Sequence, residues 1–141
     1  MNSLASEGIT YFFMGKFFGA RPDNTDLYSK EGYLDFEKTS RSDLFITGME
    51  NVKLGLKKGN NIVLMCTEKD PIDCHRAIMV ARAFSLEGID IQHILPDGKL
   101  QTQQELDRRL ELTFCTVKIG TRHRGHRVLT YFYSIVLFSN F

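Results

Sequence analysis

The sequence predicts an α/β domain with a mostly parallel sheet. Two apolar runs of strand length, residues 61–66 and 89–95, lie on either side of a helical pattern that begins at Asp70. A strand, a helix and a second strand within roughly 35 residues are typical of a right-handed βαβ unit, whose two strands run parallel. A chain of 141 residues is long enough for one domain and short for two.

The first 60 residues predict one short strand and two helices. Ile9–Met14 is an apolar run of strand type, and glycine and proline residues then make Gly15–Thr25 a loop. Tyr33–Lys38 predicts a short helix. Ser42 can cap a longer helix that ends at Gly59. The apolar residues of this second helix recur at roughly helical spacing: Phe45, Ile46, Met49, Val52, Leu54 and Leu56.

The next segment supplies the first half of the βαβ unit. Asn61–Cys66 is continuously apolar after its first residue, a pattern typical of strands that are buried on both faces. Asp70 and Pro71 have the residue types that favour an N-cap and a first helical position. We expect this helix to run to Glu87 and to stop at Gly88.

The second half of the unit leads into one more helix. Ile89–Leu95 predicts a strand, and the Pro-Asp-Gly sequence at 96–98 predicts a turn. Thr102 and Glu105 have capping-box spacing, so a helix should follow with Leu106 on its apolar face. We therefore assign residues 1–112 to one α/β domain.

Residues 113–141 form a tail of different composition. It contains no acidic residue and four basic ones, and Val128–Phe138 is almost entirely apolar or aromatic. The RHRGHR sequence at 122–127 is either a phosphate-binding turn or the exposed turn of a hairpin between Thr116–Ile119 and Val128–Phe138. A further interpretation is that the tail is foreign to the domain, for example because it is translated out of the ancestral frame.

Charge and cysteine content exclude several classes of protein. The formal net charge is +1, so no global basic field is present to hold nucleic acid nonspecifically. Three cysteines are an odd number, which disfavours a secreted disulfide framework. No signal segment is recognisable, and no apolar run reaches the ~20 residues of a membrane span. We expect a cytoplasmic protein that has no membrane partner, and its oligomeric state stays open.

The loop from Cys66 to Arg76 carries the candidate chemistry. It leaves the carboxyl end of a strand and enters a helix, which is where ligands bind in open α/β sheets. New helical amides and the planar guanidinium of Arg76 suit phosphate or carboxylate. His75 and Glu68 could move protons, and Cys74 in the first helical turn could be a nucleophile. Cys66, at the end of the strand, would line the same site.

Structural roles account for the same residues. Cys74 shares an apolar helix face and could be a core residue, and Cys66 could simply be packed. The two could form a disulfide only if their α-carbons lie within about 7 Å. A zinc site from Cys66, Cys74 and His75 lacks the usual short paired spacing and an evident fourth ligand, so we predict neither metal nor cofactor. His93 is either a pocket residue or a buried strand histidine with its own hydrogen bond.

The residues Leu64 to Arg76, LMCTEKDPIDCHR, resemble the LMCxExxPxxCHR signature of domain-of-unknown-function family 488. His93-Ile94 and Asp97-Gly98 resemble a later strand end and turn of that family. Residues 9–19 and 32–36 resemble its Gly-containing segments upstream. The likeness covers about residues 8–112.

The resemblance implies a Rossmann-like three-layer α/β/α domain in a bacterial protein, with no established activity. Family members begin with a further strand and helix, so we expect this chain to be shortened at its N-terminus. The tail does not resemble the family. Either an edge strand is left open, or the tail pairs with the exposed sheet.

Three functional hypotheses follow. The first is a site at Cys66–Arg76 that binds a phosphorylated or other small anion, such as a nucleotide or a nucleic-acid end, and acts on it with the groups named above. The second is a noncatalytic interaction or regulatory module in which the Cys-His-Arg stretch is structural. The third is an inactive fragment of the family. Burial distinguishes the first two: His75 and Arg76 facing an open cleft would favour the first, and both residues buried and paired inside the protein would favour the second.

Overall fold

The computed structural model describes residues 2–117 and 134–138. The chain forms two compact units, Met1–Gly48 and Met49–Phe141. It is a mixed helix and strand protein. The predicted boundary between residues 112 and 113 stays a prediction. Among the described residues, no helix is long and apolar enough to span a membrane.

The first unit is mainly helical. It contains α1 (Asn2–Ser6), α2 (Gly15–Phe18), a 3₁₀ turn (Thr25–Leu27) and α3 (Phe36–Ser40). Asp35 caps α3, since its carboxylate accepts a hydrogen bond from the Lys38 amide at 3.0 Å. Phe18 and Phe45 pack edge to face, with their ring centroids 5.3 Å apart.

The strand predicted at Ile9–Met14 is wrong. Residues 9–14 form neither helix nor strand. Phe12 and Phe13 are 75% and 74% exposed. An apolar run becomes a strand only where a partner strand accepts its hydrogen bonds, and no strand pairs with these residues among those described.

The predicted long helix is α4 (Asp43–Lys57), which crosses the boundary between the units. Ser42 caps it through a hydrogen bond from the Phe45 amide. Gly59 follows with φ of 80°, a backbone conformation that glycine adopts without strain.

The second unit is built on a four-stranded sheet. Its strands are β1 (Ile62–Cys66), β2 (Gln92–Ile94), β3 (Leu100–Thr102) and β4 (Ser134–Phe138), in the spatial order β1-β4-β2-β3. Every pairing is antiparallel, so the mostly parallel sheet predicted from the sequence is not what the described strands form. The physical reason is β4, which lies between β1 and β2 and runs opposite to both. β1 and β2 therefore still share one direction.

β4 belongs to the tail, so part of the tail pairs with the sheet. This is the second of the two alternatives considered from the sequence. The predicted hairpin turn and the phosphate-binding interpretation of residues 122–127 lie outside the described residues.

The prediction that β1 is buried on both faces is also wrong. Exposure alternates along the strand: Val63 and Met65 are 42% and 55% exposed, while Ile62, Leu64 and Cys66 are partly buried. One face of β1 is therefore covered and the other is open.

The predicted helix after β1 is present but irregular at its start. A 3₁₀ turn (Pro71–Asp73) is followed by a π-helical segment (Arg76–Ala81) and then by α5 (Arg82–Leu86). Single π-helical turns often occur at functional sites. Gly88, with φ of 80°, follows the helix as expected.

The last long helix, α6 (Gln103–Val117), begins at the predicted capping box. The Thr102 amide donates to the Glu105 carboxylate at 2.8 Å, and the Glu105 amide donates to the Thr102 hydroxyl at 3.2 Å. Leu106 of α6 is fully buried in a cluster with Cys74 and Ala77. This packing positions the loop after β1.

Candidate functional site

Four donor side chains converge at the carboxyl end of β1. Cys66 is the last residue of β1, Glu68 lies in the following loop, and Cys74 and His75 directly precede the π-helical segment. Their ligand-type atoms all lie within 4.8 Å of one another. We call these four residues the donor cluster. The structure thus brings together four of the six predicted site residues.

The loop is held in place by its own polar groups. The Asp70 carboxylate accepts a hydrogen bond from the Ile72 amide at 3.0 Å, as expected for a cap before Pro71. The same carboxylate is paired with Arg109 of α6. Because Asp70 takes an amide of the turn, the helix start is not the open set of donors that the sequence suggested.

Glu68 is the centre of the donor cluster. Its Oε2 accepts hydrogen bonds from both thiols, at 2.6 Å from Cys66 Sγ and at 3.4 Å from Cys74 Sγ. Glu68 is partly buried. One carboxylate oxygen therefore links two sulfurs that are eight positions apart in the sequence.

The two thiols differ in accessibility and in pKa. Cys66 is partly exposed, and its Sγ lies 3.7 Å from His75 Nδ1. Cys74 is 0% exposed. A hydrogen bond with Cys74 lowers the pKa of Cys66, and His75 adds to this effect. The hydrogen bond with Cys66, together with burial, raises the pKa of Cys74. Of the two thiols, Cys66 is therefore the one that loses its proton more readily, because a thiolate is better solvated at the more exposed position.

Cys74 is therefore packed in the core, one of the two roles considered from the sequence. A nucleophile needs access to its substrate, and Cys74 has none. Both cysteines are free, so the disulfide considered above is not formed.

Arg76 directly follows His75 in the sequence and is only 3% exposed. Burial lowers its pKa, while the charges of Cys74, Cys66 and Glu68 act in the opposite direction. A guanidinium among these groups is a positive charge in a weakly screened environment. The direct contact with a ligand that the sequence suggested stays a prediction, since the side chain does not line an open cleft.

His93 does not join the donor cluster. It is 0% exposed, and its Nε2 donates to Gln103 Oε1 at 2.7 Å. Gln103 in turn donates to Asp107 at 2.9 Å. This is the buried, hydrogen-bonded strand histidine considered as one alternative. Its Nδ1 is buried and accepts no hydrogen bond from the residues that the structure describes.

Sequence reasoning missed the fourth donor of the cluster. It grouped Cys66, Cys74 and His75 as a possible zinc site and gave Glu68 only the role of moving protons. The spacing Cys66-x-Glu68 was the available signal, because a short loop that returns to a strand end brings alternate residues together. The pairing of Asp70 with Arg109, 39 positions away, left no such local signal.

A comparison with protein families gives one match. The family described as "Domain of unknown function DUF488" matches residues 1–83. This range includes the whole loop from Cys66 to Arg76 and ends before β2. The likeness at His93 and at Asp97-Gly98 therefore stays a prediction. No curated protein and no solved structure matches the chain.

Proposed function

The chain belongs to the DUF488 family, and from this premise and the donor-cluster geometry we propose that it binds a small phosphate-bearing anion at the Cys66–Arg76 loop. A nucleotide and a nucleic-acid end belong to this class. In the proposal, Glu68 and His75 move protons to or from the bound molecule.

One observation carries the proposal: reactive groups of three kinds gather around a buried positive charge. A carboxylate, an imidazole and two thiols lie within 4.8 Å of one another, next to the guanidinium of Arg76. Turns and caps do not require such a combination. Perturbed titratable groups gathered at one strand end are typical of functional sites.

Arg76 would attract the anion mainly through its charge. At 3% exposure its charge is buried, and it interacts electrostatically with Cys74, Cys66 and Glu68 where low polarity strengthens its field. The residues that a ligand can touch are the partly exposed ones: Cys66, Glu68 and His75. Of the two thiols, Cys66 is the one within reach of a bound molecule.

Glu68 opposes the anion. Its carboxylate carries a negative charge at the same place, so an anion must either displace it or share a proton with it. An acid–base group in contact with a phosphate oxygen fits the second arrangement.

We also propose that the domain retains a Rossmann-like α/β/α arrangement around the site. The support is that β1 and β2 run in the same direction and are joined through the helical segments 71–86. In such folds ligands bind beyond the carboxyl ends of the strands.

Phosphate binding tests the proposed function. Inorganic phosphate and a nucleoside monophosphate would be titrated into the protein and binding followed by calorimetry. We expect saturable binding that weakens at least about tenfold, or about 1.4 kcal/mol, in Arg76→Gln and is largely kept in Arg76→Lys. Arg82→Gln, an exposed position six residues further along the same helical stretch, is the matched control.

Equal binding by the wild type and Arg76→Gln, or no saturable binding, would overturn the proposal. If Arg76→Gln does not fold, the phosphate affinity of Glu68→Gln tests the proposal instead. Removing the opposing charge should tighten phosphate binding, and an unchanged affinity would count against the site.

A noncatalytic module is the second candidate, and the burial of Arg76 favours it. In that case Arg76 neutralises Glu68 and Cys66 and fixes the loop against the helix. Arg76→Gln would then lower the melting temperature, and neither phosphate compound would shift the melting temperature of the wild type.

A further inference from the structure

We infer that the donor cluster binds a soft divalent cation of the zinc type through Cys66, Cys74 and His75, with Glu68 as the fourth ligand. The inference deepens the proposed function and rests on it only for the anion that would approach the ion. With the ion bound, His75 is a ligand and the proton movement is left to Glu68.

The chemistry of the four donors fits zinc. Cysteine sulfur, histidine nitrogen and carboxylate oxygen are its usual protein ligands, and four of them are its usual number. Two thiolates make the set unsuited to magnesium or calcium, which prefer oxygen ligands only.

The distances fit a tetrahedral site that closes by small side-chain movements. Bond lengths of about 2.0–2.3 Å place the ligands of such a site roughly 3.3–3.8 Å apart. Cys74 Sγ lies 3.4 Å from Glu68 Oε2, and Cys66 Sγ lies 3.7 Å from His75 Nδ1. Cys66 and Glu68, at 2.6 Å, would move apart, and no pair exceeds 4.8 Å.

Three of the four ligands sit on well-supported backbone. Cys66 ends β1, which is paired along its length with β4. Cys74 is packed against Leu106 of α6. His75 directly precedes the π-helical segment. Ligands already held in place lose little conformational freedom when an ion binds.

The charges also balance. Two thiolates and one carboxylate carry three negative charges, and a divalent ion together with Arg76 supplies three positive ones. In the metal-free cluster both thiols donate hydrogen bonds to Glu68. The ion would replace the protons of these thiols, which would pass to solvent, so that at least the Cys74 proton is released for each cation bound.

The ion would also explain how an anion can bind beside Glu68. The carboxylate can leave the fourth position when a phosphate oxygen enters, because one negative ligand is then exchanged for another. Zinc sites with three protein ligands and one exchangeable position are the catalytic kind.

Zinc binding by the full chain tests the inference. The protein would be stripped with a chelator and titrated with Zn²⁺ alone against a chromophoric competitor. We expect one ion per chain and a Kd below about 1 µM, which corresponds to a binding free energy of about 8 kcal/mol or more. Calorimetry in buffers of different ionisation enthalpy should count at least one proton released per ion.

Variants localise the ion. Cys66→Ser and His75→Gln should each weaken binding at least about tenfold, in line with the loss of a ligand. Asp73→Asn is the matched control, since this exposed acid is next to Cys74 and outside the donor cluster. Both test positions are partly exposed, so these variants are expected to fold, which circular dichroism checks.

No binding, or binding that survives both variants, would overturn the inference. Zinc bound without any phosphate binding, in the metal-free or the zinc-loaded protein, would refute the proposed function and leave the metal site. Phosphate binding by a protein that does not bind zinc would refute the metal site and leave the proposed function. Cobalt added in place of zinc should give the absorption of a tetrahedral thiolate complex in the wild type and lose it in Cys66→Ser.

Discussion

The loop after β1 and the loop after β2 start from strands that run in the same direction, yet they are built differently. In the second loop, the Leu95 amide donates to Lys99 O at 2.8 Å, and the Gly98 amide donates to Leu95 O at 2.9 Å. Asp97 accepts from the Lys99 amide at 3.1 Å. These are turn interactions, and they close the hairpin between β2 and β3.

In the first loop, side chains form hydrogen bonds with one another instead. Glu68 accepts from two thiols, and Arg76 is buried beside them. Burying charged and titratable groups costs free energy that a simple connection does not require. A strand end alone therefore does not make a site, and the buried polar groups that have no role in the turn mark the first loop as the candidate functional loop.

The largest expected difference between the loops is in how much the residue packed next to each loop contributes to the free energy of unfolding. Leu106→Ala should lower the free energy of unfolding by about 2–5 kcal/mol, because it leaves a cavity beneath Cys74 and Ala77. Leu100→Ala, beside the second loop and 55% exposed, should cost less than about 1 kcal/mol. Urea unfolding followed by circular dichroism measures both. Similar losses for the two variants would contradict a first loop supported by α6.

Thiol reactivity sharpens the description of the first loop. Iodoacetamide should modify Cys66 at least about tenfold faster than Cys74, because only Cys66 is accessible. The tryptic peptides 59–69 and 70–76 carry one cysteine each, so mass spectrometry reports the two rates separately. In urea the rates should become similar. Equal rates in the folded protein would mean that Cys74 is not packed in the core.

A smaller effect is expected from pH, through the strand that leads into the second loop. Burial lowers the pKa of His93, assisted by the charge of Arg76 and opposed by the hydrogen bond to Gln103. The unfolded chain binds this proton with the ordinary pKa of about 6.5. The unfolded state therefore binds more protons below that pH, and the stability contributed by neutral His93 is complete above pH 6.5 and declines as the pH falls.

Unfolding free energies at pH 7.5 and 5.5 measure this effect. His93→Gln keeps a donor for Gln103 and should show a smaller decline than the wild type. Glu105 and Asp97, whose pKa values are lowered by their hydrogen-bond partners, titrate below this window. The same decline in both proteins would show that His93 is not the group responsible.

The local features of this protein follow from the sequence alone. Asp70 before Pro71, the capping box at Thr102 and Glu105, and Gly59 and Gly88 after their helices all act through neighbours a few residues away. Such interactions depend on short spacings, which a sequence displays directly. The family was recognisable for the same reason, since its signature is one continuous stretch from Leu64 to Arg76.

Strand pairing and side-chain burial, in contrast, depend on the tertiary structure. The insertion of β4 between β1 and β2 changed the pairing from the expected parallel one to an antiparallel one, although β4 lies nearly 70 residues beyond β1. Packing against Leu106 made Cys74 a core residue, and the turn of the loop made Glu68 the fourth donor. Strand pairing and burial depend on contacts between distant segments, and residue spacing along the chain carries no record of which segments will meet.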